Sequence, residues 1–164
     1  MYYNDIMKLD INKPIIYDCS SHRRFRKGER HITRVCGMSV LLLVYEGVLR
    51  FGEGETQIEV KSGEYYIQRA GIAQNGLIES DCPRYYYVHF SGEYTENDGL
   101  SLRSKWQPEA MMPLIEGMEG NADSGSLSPL AVGRSFGGLS ALPVICPYRA
   151  EQATGLAGGY DYCI

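Results

Sequence analysis

Two stretches decide the fold of this 164-residue chain: Val40-Leu41-Leu42-Leu43-Val44 and Arg84-Tyr85-Tyr86-Tyr87-Val88-His89-Phe90-Ser91-Gly92. Further short runs rich in Val, Ile, Tyr and Phe lie between them, separated by glycine-containing turns at close intervals. Such runs are typical of an antiparallel sandwich or a small barrel. The chain is therefore predicted to be mostly β, and we expect its function to lie inside the barrel.

The other runs divide this region into strands and turns. The apolar run at residues 40–44 predicts a fully buried strand that ends in a turn at Glu46-Gly47. Residues 52–55 predict a hairpin loop, and the alternation in residues 56–60 predicts a strand with one wet face. Residues 65–67 and 77–78 predict further strands, with a loop over residues 70–76.

Composition places the chain among ordinary globular proteins. The hydrophobic fraction of 44% suffices for a core. The formal net charge of −4 argues against nucleic-acid binding by this segment, although a local basic patch can lie under a negative total. The sequence shows neither a signal peptide nor an apolar run near the ~20 residues of a membrane span. Because of these two absences we expect a reduced, cytoplasmic protein. The five cysteines contain no Cys-x-x-Cys pair, which argues against zinc knuckles and redox motifs.

The N-terminal part is predicted to be a polar arm over residues 1–13, followed by a strand over residues 14–19. A basic run from His22 to Arg34 comes next, and Gly28 is expected to turn it into a hairpin. Such a run is typical of a solvated edge strand, whose charge discourages pairing with other chains. The alternatives are contact with DNA, with a partner domain or with an anionic ligand.

The C-terminal part predicts a helical segment over residues 95–145 and a poorly defined tail over residues 146–164. Pro108 suits a helix start, whereas Pro113 indicates a kink or a later start. Ser128-Pro129 predicts a second helix that ends before Pro143. Four residues spaced four apart predict an apolar helix stripe and a dimerisation surface: Trp106, Ala110, Leu114 and Met118.

Motifs for catalysis are missing from the sequence. There is no phosphate-binding glycine loop, no nucleophile elbow and no His-x-His pair. The loop after Ile67 offers Gln74 and Asn75, whose neutral amides bind transition metals poorly. We therefore expect no metal, no cofactor and no enzymatic activity, with a metal-dependent isomerase or oxygenase as the alternative.

The tyrosine-rich strand carries the main functional signal. A period of two places Tyr85, Tyr87 and His89 on one face, and residues 86, 88 and 90 on the other. Aromatic rings with polar tips suit a sugar or a small polar aromatic molecule. The alternative is that the tyrosines fill the barrel and bond to each other.

The motifs together resemble the N-terminal sensor domain of AraC-type transcriptional regulators over residues 14–120. The resemblance rests on these segments: Arg34 to Gly37, the buried strand with Glu46-Gly47, Lys61 to Tyr66, Arg69-Ala70-Gly71, and Arg84 to Gly92. It implies a cupin-like, jelly-roll barrel over residues 14–94, which binds a small polar molecule, commonly a sugar. A helical dimerisation segment follows the barrel in that family, so the resemblance also implies a homodimer.

The resemblance also implies which residues line the pocket. By position, Arg34 and Tyr87 match pocket-lining sites, and Tyr85 takes the place of a pocket histidine. Gly76 falls where the arabinose-binding member has a tyrosine, which argues against arabinose itself. The candidate ligand-binding residues are Arg34, Arg50, Tyr85, Tyr87 and His89.

The family's DNA-binding part has no counterpart in this sequence. The resemblance implies a pair of helix-turn-helix units, yet nothing after Gly120 looks like a basic recognition helix. We therefore expect that this chain alone does not bind DNA specifically. A dimerisation module that binds nothing small is the third hypothesis.

Overall fold

A computed structural model describes residues 6–122 and 144–145, with side chains up to Gly117. The described part is built from strands and one helix. In chain order they are β1 Lys8–Leu9, β2 Ile15–Arg24, β3 Arg34–Val35, β4 Ser39–Glu53, β5 Thr56–Lys61, β6 Glu64–Gln68, β7 Ala73–Asn75, β8 Asp81–Ser91, β9 Tyr94–Thr95, β10 Leu100–Ser101, β11 Arg103–Lys105, α1 Pro108–Ala122 and β12 Val144–Ile145.

The long strand β4 lies at the centre of the main sheet. Its first half pairs antiparallel with β6 on one side and β8 on the other. Its second half pairs with β5 and β7 instead. Side chains from both halves meet in one core cluster, and the rings of Phe51 and Tyr66 lie 5.5 Å apart. The two halves therefore face each other across a shared interior.

The predicted turn at Glu46-Gly47 is wrong, because the strand continues through it. The register between β4 and β8 shifts on either side of Glu46, which marks bulges rather than a chain reversal. Gly47 has a φ of 66°, and a Cβ at this position would clash with the carbonyl oxygen of Asp81. Bulges bend a strand and increase its twist, so this glycine marks where β4 bends.

Two neighbouring predictions need smaller corrections. Gly52 and Glu53 still belong to β4, so the hairpin loop is confined to Gly54-Glu55. The predicted loop at residues 70–76 contains β7, because the end of β4 offers it backbone partners. Residues 77–78 were predicted as a strand, but both side chains are exposed and the nearest pairing is an isolated bridge at Glu79.

The N-terminal segment contributes more to the fold than a polar arm would. Leu9 is 2% exposed and lies in the core, and β1 pairs with both β9 and β10. The first long strand runs to Arg24, five residues further than predicted, because β8 offers it a partner along this length. Gly28 does sit in a turn with a φ of 83°, but the chain after it is mostly loop rather than a hairpin strand.

The main sheet carries two separate clusters of side chains. We call the first the barrel interior; its buried members are Phe25, Cys36, Val40, Leu42, Val44, Leu49, Phe51, Val60, Tyr66 and Tyr85. We call the second the outer layer; its buried members are Leu9, Ile15, Leu43, Tyr65, Ile67, Tyr86, Phe90, Leu102, Trp106 and Ile115. The alternation of β4, β6 and β8 between the two clusters follows from the period of two in a strand.

The helix α1 begins at Pro108, as predicted, and the first part of the predicted helical segment holds β10 and β11 over residues 100–105. It continues through Pro113, which lacks the N–H of one helical hydrogen bond. The second predicted helix and the tail lie outside the described residues, apart from β12. The backbone of β12 pairs in parallel with the start of β2.

The predicted helix stripe is out of phase with the observed packing. Ile115 is buried in the outer layer, with Met111 and Met112 partly buried beside it, whereas Leu114 is 43% exposed. Trp106 lies before the helix begins, so it does not set the helix phase. Its indole N–H instead lies 3.1 Å from the Val44 carbonyl oxygen and 3.0 Å from that of Glu64, donating to both.

This architecture confirms the predicted fold class, a mostly β protein with a bent antiparallel sheet followed by a helical segment. In the part of the chain that the structure describes, no helix has the length and apolar character to cross a membrane.

Candidate functional site

The predicted tyrosine face of β8 points into the barrel interior. Tyr85 is buried there against Phe25, with ring centroids 5.8 Å apart, and Tyr87 is partly buried beside it. His89 is 3% exposed, and its ring lies 5.5 Å from that of Tyr87. The structure therefore brings together three of the five predicted ligand-binding residues.

Arg34 joins this group, whereas Arg50 does not. The Arg34 side chain reaches Gln74 from β3, with 3.4 Å between Nε and Oε1. Burial lowers the pKa of His89, and the positive charge of Arg34 lowers it further. Arg50 alternates with the interior residues Leu49 and Phe51, so it lies on the opposite face of β4.

The Arg50 side chain is engaged outside the barrel. Its Nε donates to Glu59 at 2.9 Å, directly across the β4–β5 pair. This contact holds the pKa of Glu59 below its usual value. Arg50 is therefore placed as a cross-strand ion-pair partner and away from the tyrosines.

The interior also contains a buried carboxylate that the sequence analysis missed. The Tyr66 hydroxyl donates to Oε2 of Glu53 at 2.6 Å, and the Arg69 backbone N–H donates to Oε1 at 3.2 Å. Burial, followed by the Glu53 charge, raises the pKa of the Tyr66 hydroxyl far above its usual value. Tyr66 therefore stays protonated and holds Glu53 in place.

A buried histidine sits next to this network. Nδ1 of His31 lies 2.9 Å from the Ile32 carbonyl oxygen, which can only accept, so Nδ1 carries the proton. Nε2 then accepts from Nε2 of Gln68 at 3.4 Å. Burial lowers the pKa of His31 to about 4, so its ring is neutral near pH 7.

Two glutamine side chains in this region leave polar atoms unpaired within the described residues. Gln68 and Gln74 are at most 1% exposed. Oε1 of Gln68 and Nε2 of Gln74 have no hydrogen-bond partner there. Each such buried atom costs about 1–3 kcal/mol unless something pairs with it. These two side chains thus offer one acceptor and one donor to a ligand or to water.

The sequence held a partial signal for these polar residues. In β6 the period of two puts Tyr66 and Gln68 on one face, and Tyr65 and Ile67 on the other, which packs in the outer layer. A polar residue in phase with an apolar interior is unusual. The pairing of Gln68 with His31, 37 residues away, has no such signal.

A separate groove of about 630 Å³ lies on the other side of the sheet. His22, Tyr45 and Arg84 line it together with Met112 and Glu116 of α1. Arg84 there pairs with Glu46 at 3.0 Å. None of the predicted ligand-binding residues lines this groove.

The predicted dimerisation residues are spread over different environments. Trp106 is buried against the chain's own sheet, while Ala110 and Leu114 are exposed on α1. The Met118 side chain lies outside the described residues. Only Ala110 and Leu114 are thus seen on the surface.

Comparison with known proteins finds similarity to a transcription regulator. No family model matches the chain. The chain is 37% identical, over 79 residues, to an uncharacterized HTH-type transcriptional regulator, YisR, of Bacillus subtilis strain 168. The match covers 46% of this chain and 28% of that protein. The similarity is therefore to a regulator of this class, of which the match covers less than a third.

Among solved structures, the chain is similar to a serine-to-alanine mutant of the Bacillus subtilis oxalate decarboxylase OxdC. The TM-score is 0.37 and the sequence identity 15%, and the match covers 71% of this chain and 30% of that chain.

Proposed function

We propose that the chain is the ligand-sensing domain of an AraC-type transcriptional regulator, and that it is not an enzyme. The observation that carries the proposal is a polar cluster beside the barrel interior, formed by His31, Arg34, Gln68 and Gln74. Within it, Oε1 of Gln68 and Nε2 of Gln74 have no hydrogen-bond partner among the described residues. The similarity to a helix-turn-helix-type regulator supports the regulatory role.

The ligand proposed for this cupin-like barrel is a small polar molecule of the sugar class. A hydroxyl group both donates and accepts, so one such molecule can bond to Oε1 of Gln68 and to Nε2 of Gln74. The rings of Tyr85 and Tyr87 offer aromatic surface to the apolar faces of a sugar. Arg34 and His89 complete the proposed set, and Arg50 is left out because it lies outside the barrel.

The response is proposed to pass through β8 to the helix. One face of β8 would contact the ligand, while Tyr86 and Phe90 on the other face pack in the cluster that includes α1. A ligand can shift the arrangement of a homodimer only if it binds one arrangement better. Ala110, Leu114 and Met118 are the proposed dimer contacts. Specific DNA binding is assigned to a domain outside residues 1–164, in a cytoplasmic protein.

A thermal-stability screen tests this function. Purified chain is heated with a panel of sugars, sugar acids and small aromatics, each at several concentrations. A ligand that binds only the folded state stabilises it by about 2.7 kcal/mol at one hundred times its Kd. We expect one chemical class to raise the melting temperature, and no response from any class would contradict the proposal.

The variant Tyr87→Ala locates the binding in the barrel. It should weaken binding of the active compound by ~1–3 kcal/mol, because it removes a stacking surface. Arg50→Ala is the matched control, since it removes a long side chain from the opposite face of the sheet. Equal affinity of the Tyr87→Ala and parent chains would remove Tyr87 from the site.

A further inference from the structure

Beyond the ligand-sensing role, we infer that Asp18, Cys19 and His89 form a binding site for a divalent metal ion of the zinc class. The candidate ligand atoms of these three side chains all lie within 4.8 Å of one another. This inference does not depend on the proposed function, because metal binding is measured without any organic ligand.

A β-bulge explains how two consecutive residues of one strand reach the same site. Neighbours in a regular strand point to opposite faces. The register between β2 and β8 shifts after Tyr17, so that Cys19, and not Asp18, pairs with His89. Bulges of this kind re-aim side chains and are common beside functional sites.

The hydrogen bonds of the flanking residues show the same displacement. The Tyr17 hydroxyl lies 3.0 Å from the Ser20 hydroxyl, which lies 2.6 Å from that of Tyr86 on the outer-layer face. Tyr17 and Ser20 thus share a face although they are three residues apart. The two residues between them, Asp18 and Cys19, are left to share the face of His89.

His89 is the buried member of the group and contributes one ring nitrogen to the cluster. Among the described residues, neither ring nitrogen of His89 is found in a hydrogen bond, although the side chain is 3% exposed. Its recorded neighbours are the Tyr87 ring and the charges of Asp18 and Arg34. Neither ring nitrogen is among the fully buried polar atoms that lack a partner, so a metal ion can reach the ring beside the side chains of Asp18 and Cys19.

The ligand types select the metal. A thiolate with an imidazole and a carboxylate is a typical donor set for Zn²⁺, whereas Mg²⁺ and Ca²⁺ prefer oxygen ligands alone. One thiolate and one carboxylate neutralise the double positive charge of the ion. The positively charged Arg34 nearby then meets no net positive charge at the site. Three protein ligands leave the fourth tetrahedral position open to water or to a small molecule.

This site departs from the expectation of a metal-free chain. That expectation followed from the missing His-x-His pair and from the amides at Gln74 and Asn75. The three residues proposed here are instead brought together by pairing across about 70 positions of sequence and by a bulge, and neither has a sequence signal.

Titration of the reduced chain with Zn²⁺ and Co²⁺ tests the inference. We expect one equivalent of metal per chain by competition with a coloured chelator. The cobalt form should show a thiolate-to-metal charge-transfer band in the near ultraviolet and the intense visible bands of tetrahedral cobalt. No stoichiometric binding by the parent chain would overturn the inference.

Three variants separate this site from other thiols. Cys19→Ser should abolish the charge-transfer band, and Asp18→Asn, at an exposed position, should weaken binding by roughly tenfold or more without disturbing the fold. Cys82→Ser is the matched control, since Cys82 is also an exposed thiol and lies outside the cluster. Parent-like cobalt spectra from Cys19→Ser would assign the metal to other cysteines and overturn the inference.

Discussion

The two faces of β8 have the same kind of side chain but different surroundings. On the outer-layer face, the Tyr86 hydroxyl bonds to Ser20 at 2.6 Å, and Trp106 nearby donates to two carbonyl oxygens. On the barrel-interior side, two glutamine amide groups keep unpaired atoms within the described residues. Tyrosines alone therefore do not mark a binding site, whereas buried polar atoms without hydrogen-bond partners on the same side of the sheet do.

The largest effect is expected on the outer-layer face. Trp106→Ala should reduce the free energy of unfolding by about 3–5 kcal/mol, because it leaves a cavity and removes the donor to the Val44 and Glu64 carbonyls. Urea denaturation followed by circular dichroism measures this. Leu114→Ala is the control, with a much smaller expected effect at an exposed helix position. Similar losses from both variants would contradict the outer layer as described.

The next largest effect is a dependence of the free energy of unfolding on pH, which arises from the buried His31. The pKa of His31 falls from 6.5 to about 4 on folding, so the unfolded chain binds its proton more readily. The stabilisation by neutral His31 is complete above pH 6.5 and is lost as the pH falls from 6.5 to about 4. The loss amounts to roughly 3 kcal/mol. Denaturation curves at several pH values measure it.

The variant His31→Gln isolates this contribution. It should flatten the slope of stability against pH between 6.5 and about 4. Some slope should remain, because burial lowers the pKa of His89 as well. An unchanged slope would show that His31 titrates normally and is not buried as described.

Two adjacent tyrosines of β6 allow the outer layer and the barrel interior to be compared directly, because Tyr65 lies in the first and Tyr66 in the second. Tyr66→Phe removes a 2.6 Å hydrogen bond to the Glu53 carboxylate and should cost about 1.5–3 kcal/mol. Tyr65→Phe removes a 3.0 Å bond to the Ser101 carbonyl on the other face and should cost about 0.5–1.5 kcal/mol. Thermal unfolding of both variants gives the comparison. A larger loss of stability from Tyr65→Phe than from Tyr66→Phe would show that the hydrogen bond between Tyr66 and Glu53 does not stabilise the interior.

The smallest effect is expected outside the barrel. Arg50→Ala breaks the ion pair with Glu59, in which both side chains are about a third exposed or more. Such pairs contribute about 0.2–1 kcal/mol and are screened by salt. Unfolding at low and high salt should show the difference shrinking as salt rises. A loss above about 2 kcal/mol would place Arg50 in a structural role that the geometry does not show.

Local patterns in the sequence were enough for the strands with clear alternation. The period of two predicted which residues of β8 share a face, and the alternation in residues 56–60 predicted β5. The same local reasoning took Gly47 for a turn, because some bulges and some turns both place a glycine at positive φ, as Gly47 has. The pairing of β4 with β8 on both sides of Gly47 distinguishes the bulge from a turn, and this pairing cannot be seen in the local sequence.

The candidate site was harder to predict because distant segments build it. Glu53 and Tyr66 come together across a hairpin, and His31 meets Gln68 through the bend in β4. The helix phase was missed since Trp106 looks like part of a helical stripe, although strand β11 precedes it. Periodicity describes one element at a time, and these contacts arise between elements.

An NMR titration of the chain with the compound found in the stability screen tests whether the ligand binds inside the barrel. The side-chain amide resonances of Gln68 and Gln74 report on the polar cluster, and the ring resonances of Tyr45 report on the outer groove. We predict that the two glutamine amides shift in proportion to occupancy while Tyr45 does not respond. Shifts at Tyr45 with unchanged glutamine amides would place the ligand outside the barrel and contradict the proposed binding site.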